Sequence, residues 1–198
     1  MRFAATMAMA TCMLTIAAEL AKGQTEPQAT FEPRSGPGSG QSLLEKFTGD
    51  WSVTKTFYPR TGEPIRAEGR CRQVMIHDGR FLQSDFVFQQ GGQKTTGLGI
   101  IGFEPESGRF TSFWTDSRQT RMSVRQSQDR FDGKQIVLYS RSLDADGNEA
   151  RRSKTLSRLE DEGRKLVHRQ YALGPGNEER LVMELVMTKE ARADPTKK

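Results

Sequence analysis

Residues 79–103 read GRFLQSDFVFQQGGQKTTGLGIIGF. Phe81 to Phe88 keeps a period-two pattern, Gln90-Gly91-Gly92 interrupts it, and Thr95 to Phe103 resumes it. Paired glycines between two such runs supply the positive φ that a tight turn requires, so the stretch predicts a β-hairpin. Working outward, the same unit recurs. Trp51 to Phe57 and Ile65 to Ile76 precede it; Arg109 to Thr115, Thr120 to Arg130, Lys134 to Ser142, Ala150 to Leu159, Lys165 to Leu173 and Arg180 to Thr188 follow. Turn residues separate them, among them His77-Asp78-Gly79, Phe131-Asp132-Gly133, Asp144-Ala145-Asp146-Gly147 and Gly174-Pro175-Gly176-Asn177. No connection is long enough for a crossover helix, so consecutive strands must run antiparallel. About ten meandering strands without covering helices have one economical solution, closure into an all-β, up-and-down barrel that removes both edges. A two-sheet sandwich is the alternative.

Ahead of the first strand, Ser42 and Glu45 have capping-box spacing, and Leu43, Leu44 and Phe47 give a short helix one apolar face. Gly49-Asp50-Trp51 then resembles the G-x-W start of lipocalin-type barrels, in which a short helix plugs one end and the Trp packs across it. The stretches Leu44-Glu45-Lys46-Phe47-Thr48-Gly49-Asp50-Trp51, Gly79-Arg80-Phe81-Leu82-Gln83-Ser84-Asp85-Phe86, Gly97-Leu98-Gly99-Ile100-Ile101-Gly102-Phe103 and Thr111-Ser112-Phe113-Trp114-Thr115-Asp116-Ser117 together resemble the bacterial domain-of-unknown-function 1579 family, over nearly all of Leu43 to Thr188. That resemblance implies a calycin-like, often exported barrel and carries over no catalytic residue.

The chain has 198 residues, a net charge of +5 and 34% hydrophobic residues, which suits one domain with one core. Met1-Arg2, the uncharged Phe3 to Ala18 and the small residues of Ala21-Lys22-Gly23 have the layout of a secretory signal peptide. The uncharged run is short and Ala-rich for an uncleaved anchor. The expected organisation is therefore a signal peptide at 1–23, a disordered Pro/Gly/Ser spacer at 24–40, the barrel at 41–190 and a disordered polar tail at 191–198, in a periplasmic or secreted bacterial protein. Cleavage after Gly23, or alternatively Ala18, leaves no transmembrane segment and only Cys71, so packing rather than a disulfide holds the domain. Cys71 lies between Arg70 and Arg72 and reads either as a quiet half-buried thiol or as one activated by its cations.

The barrel interior is the expected ligand site. Period two places Trp114 and Asp116 on one face with Phe110 and Ser112, and Phe81, Gln83 and Asp85 on one face of the third strand. With Trp51, Phe57, Met122, Arg125 and His168 these form the candidate cavity residues. A carboxylate such as Asp116 or Asp85 needs a cation once buried, and Arg80, Arg118, Arg121 and Arg125 are in range along the chain. The pattern reads as a polar anchor in an apolar cavity or as a hydrogen-bond network between strands. Three functions follow: a binding module for a small apolar or amphipathic molecule; a hydrolase or isomerase using Asp116 or Asp85 as base, with His168; and a filled barrel serving as a scaffold. The related nitrobindin barrels bind haem through a His, but His77 falls in a turn and His168 in mid-strand, and two isolated histidines are too few for a catalytic metal, so no cofactor is expected. Arg151, Arg152, Lys154 and Arg158 cluster on one strand; with an export signal they read as a solvated face rather than a nucleic-acid site. Gly97 and Gly99 sit inside a strand, where they would let the barrel bend.

Overall fold

The computed structural model describes residues 36–191; the expected signal peptide, the spacer up to residue 35 and the tail beyond residue 191 lie outside the described residues. Helix α1 (Ser39–Lys46) leads into ten strands: β1 (Gly49–Phe57), β2 (Ile65–Ile76), β3 (Phe81–Gln90), β4 (Gln93–Glu104), β5 (Arg109–Asp116), β6 (Ser123–Gln126), β7 (Ile136–Leu143), β8 (Glu149–Glu160), β9 (Lys165–Leu173) and β10 (Glu179–Lys189). Each strand pairs antiparallel with the next, and β1 returns to pair with β10. That closing ladder runs from Trp51↔Lys189 to Phe57↔Met183, so no free edge remains to make a sandwich.

Alternation decides what the barrel encloses. In β3, Leu82, Ser84, Phe86 and Phe88 are buried while Phe81, Asp85 and Val87 are exposed. Leu44 of α1 and Phe47, which caps its C-terminus, pack with Trp51, Leu82, Phe103, Phe110 and Met187 in one core. Trp51 has no exposed surface. Its indole N–H donates to the Phe47 carbonyl at 2.9 Å, and the Lys189 ammonium lies 5.2 Å above its ring. The helix and the G-x-W tryptophan thus close one end.

Most strand boundaries fall within two residues of the sequence expectation, and two elements differ by more. The helix begins at Ser39, inside the expected spacer. Its first turn is tied by Gln41 rather than by Ser42 and Glu45: the Gly38 N–H donates to Gln41 Oε1 at 2.7 Å, and Gln41 Nε2 donates to the Phe103 carbonyl at 2.7 Å. Gly40 lies flat against Phe103, whose ring a β-carbon there would overlap. The second difference is β6, which covers Ser123–Gln126 instead of Thr120 to Arg130 and meets β7 through the single pair Gln126↔Tyr139. Residues 117–121 are SRQTR, with no apolar side chain to bury, and they turn back onto the end of β5 instead of extending the sheet.

Replacing Trp51 with Ala should lower the unfolding free energy in urea by about 3–5 kcal/mol, the cost of emptying a large, fully buried aromatic site. A loss below about 1 kcal/mol would show that α1 and Trp51 do not close the barrel.

Candidate ligand cavity

The open half of the barrel holds a cavity of about 340 Å³, within the range of small-molecule sites. Trp114 and Asp116 line it, as their spacing requires. β4 faces them with glycine: Gly97 pairs with Asp116 and Gly99 with Trp114. A β-carbon on Gly97 would overlap the indole, so these glycines make room for Trp114, a role more specific than the bend expected of them. Phe86 meets the indole edge-on at 5.4 Å.

Asp116 is a clasp at the mouth. Its side chain is 4% exposed. Oδ1 accepts from the Arg118 backbone N–H at 3.0 Å and Arg118 Nε at 2.9 Å. Oδ2 accepts from Arg118 Nη2 at 3.0 Å, Trp114 Nε1 at 3.1 Å and Gln119 Nε2 at 3.3 Å. The Arg118 guanidinium, helped by Trp114 and the Arg118 backbone and opposed by burial, holds the carboxyl far below the usual carboxylate range. Its partner is therefore Arg118 and not Arg125, and a carboxylate so committed cannot serve as a general base near neutrality.

Arg125 and His168 also line the cavity. Arg125 stands opposite Ser112 across the β5–β6 ladder. Among the described residues its Nε is buried with no hydrogen-bond partner, and desolvation lowers its pKa with no carboxylate acting against the shift. His168 lies between Ser157 and Leu185 on the neighbouring strands. Ser157 Oγ and His168 Nδ1 are 2.8 Å apart. Burial first, and the charge of Arg125 second, push this imidazole down to about 4. A hydroxyl beside an imidazole resembles a nucleophile and base, but activation needs a neighbour that stabilises imidazolium, and the neighbour here is a cation.

The remaining expected residues are placed elsewhere. Trp51 belongs to the closed end and does not line the cavity. Phe81, Gln83 and Asp85 occupy the outer face of β3, because the inward parity belongs to Leu82, Ser84, Phe86 and Phe88. Phe81 covers Gly102 of β4 from outside, and Gln83 Nε2 donates to Asp85 at 2.8 Å. Phe57 is exposed at the end of β1, opposite the equally exposed Ile65. Met122 is exposed in the β5–β6 connection. His77 is exposed in the β2–β3 turn with φ 51°. Cys71 is buried, and burial together with Asp85 and Asp50 pushes its thiol well up, so it is the quiet thiol. Three of the four cations of β8 are paired, Arg152 with Glu149, Lys154 with Glu179 and Arg158 with Glu160, while Arg151 is exposed.

Sequence reasoning passed over Lys55, Gln73 and Ser157, which line the cavity. Lys55 shares the inward parity of Trp51 and Val53, a signal that was available. Gln73 and Ser157 give none, because their place depends on the register between strands.

Two outcomes follow. His168 in the folded state stays neutral down to about pH 4, whereas in the unfolded chain it takes a proton near its ordinary pKa of about 6.5. Acid therefore favours unfolding: stability should fall as pH drops from about 6.5 to about 4, by roughly 3 kcal/mol at most. Urea denaturation of His168→Gln should show a flatter profile there; an unchanged slope assigns the acid sensitivity elsewhere. Asp116, whose carboxyl is depressed by folding, stabilises above about pH 4 and loses that contribution as pH falls further. Asp116→Asn should cost about 1–2 kcal/mol at pH 7, moderated because Arg118 stays half in water, with the gap to wild type narrowing below about pH 4.

The barrel is similar to the one in the crystal structure of Rv2717c from M. tuberculosis, with a TM-score of 0.57 at 14% identity over 79% of this chain and 100% of that one. At that identity the likeness is one of fold. No curated protein matches the chain. A family model described as "Protein of unknown function (DUF1579)" matches residues 36–189.

Proposed function

The chain belongs to the DUF1579 family of proteins of unknown function, and from that premise we propose that it is an exported binding module that takes one small apolar or amphipathic molecule into its barrel. The observation that carries this reading is the cavity, closed beneath by Trp51, Leu44 and Phe47 and walled by Phe86, Trp114, Leu138, Leu166 and Leu185 between polar side chains. An apolar wall supplies affinity at roughly 25 cal/mol per Å² buried, before the cost of association. An enzyme in the same cavity is disfavoured by its own candidates: the Asp116 oxygens are already engaged by Arg118, Trp114 and Gln119, and the cation beside His168 opposes its taking up a proton. Export rests on the order of residues 1–23, basic, then uncharged, then small at Ala21 and Gly23. Among the described residues no helix is long and apolar enough to cross a membrane.

Titration with 1-decanol, followed by tryptophan emission, should shift the Trp114 signal, and Ser112→Phe, which fills the cavity, should abolish the shift while the urea midpoint stays near wild type. Failure of decanol and of a panel of small aromatics to change the emission leaves the scaffold reading in its place. N-terminal sequencing of the mature protein should begin at Gln24 or Glu19; a soluble product starting at Met1 ends the export proposal.

A further inference from the structure

The charges facing the cavity do not balance. Its lining includes the cations Lys55, Arg118, Arg121 and Arg125 and one carboxylate, Asp116. Asp116 is already taken by Arg118 through two side-chain hydrogen bonds. Lys55 and Arg121 stand at the mouth end: Lys55 is near the end of β1, with its ammonium 4.7 Å over Phe88, and Arg121 is exposed in the β5–β6 connection. Arg125 is different. It projects from β6 beside Ser112, its Nε is buried and unpartnered, and no carboxylate among the described residues offsets its desolvation. A guanidinium taken out of water without a counter-ion is costly to the fold. β6 also inverts the usual pattern, with Val124 turned out to water and Arg125 turned in. Such an inversion is compensated when the missing counter-ion arrives with a ligand.

We propose that the ligand is an amphiphilic carboxylate, its apolar body against Trp114, Phe86 and Leu138 and its head accepting hydrogen bonds from the Arg125 guanidinium. This inference rests on the cavity-binding reading and adds the head group to it. A planar carboxylate matches the guanidinium fork. One negative charge matches one desolvated cation, since His168 beside it is neutral; a phosphate monoester would bring nearly two. Lys55 and Arg121 at the mouth favour the approach of an anion.

Decanoate and 1-decanol share a chain and differ in the head, so isothermal titration of both at pH 7.5 separates the inferences. Decanoate should bind about 10–100-fold more tightly than decanol, as expected for hydrogen bonds to a charged group. Arg125→Met should erase that preference, so that decanoate and decanol bind this variant with equal affinity, and Arg125→Lys should retain part of it. Should Arg125→Met not fold, a pH titration of carboxyl-¹³C decanoate bound to wild type replaces it: a head held by Arg125 stays ionised to lower pH than free decanoate. Equal affinity for the two ligands, or a bound carboxyl that titrates like the free acid, overturns the carboxylate inference while the cavity reading stands. Binding of neither ligand overturns the carboxylate inference, and failure of the small aromatics as well overturns the cavity reading. Decyl phosphate binding more tightly than decanoate overturns the match of one charge to one cation.

Discussion

Trp51 donates its indole N–H to the carbonyl of Phe47, the residue that ends α1, and so fastens the helix across one end of the barrel. Ten strands closed on themselves enclose more room than their own side chains fill, and water enters from any end left open. Trp51, Leu44, Phe47 and Phe103 pack together and fill one end of the interior. Polar groups can then be held above that floor at a low local dielectric, where their interactions are stronger and their mispairing costs more. Burial within the barrel wall displaces the pKa of His168 and lowers that of Arg125.

The mouth is organised by a different device. Trp114 lies on Gly97 and Gly99, and Asp116 gathers Trp114, Arg118 and Gln119 around one carboxylate. This fixes the indole's orientation and ties the β5–β6 connection to the strand it leaves. Trp114 to Ser117, the end of one stretch that carries the family resemblance, is therefore mouth architecture: Ser117 also accepts the Thr96 N–H and donates its own to the Thr96 carbonyl.

The strands and the closed barrel were legible because turn glycines and period-two runs are local features, and connections this short leave only antiparallel neighbours. The floor was legible through Gly49-Asp50-Trp51. Parity within β3 was misjudged because both of its faces carry aromatics; Phe81 is outside for a local reason, to cover Gly102. The polar wall was less legible. Asp116 sits two residues from its true partner Arg118, yet spacing alone cannot choose among several arginines. Ser157 and His168 meet only through the β8–β9 register, a long-range property. Thr120 to Arg130 reads as one strand by composition, but only Ser123–Gln126 joins the ladder.

The ladder that closes the barrel also bears on how the chain reaches this fold. Every other ladder joins consecutive strands and can form as a hairpin soon after its two halves meet. The β1–β10 ladder joins the ends of the domain; the bond from Ser52 to Glu190 that flanks it spans 138 residues. Long-range pairing of this kind carries a large loop-closure cost before it brings any stabilisation, and it slows folding. Until it forms, β1 and β10 both present unpaired backbone to other chains. An open sheet with β1 and β10 unpaired is thus the arrangement that closure must outcompete, and the Ser52 hydroxyl donates to Glu190 across that seam once the two ends meet.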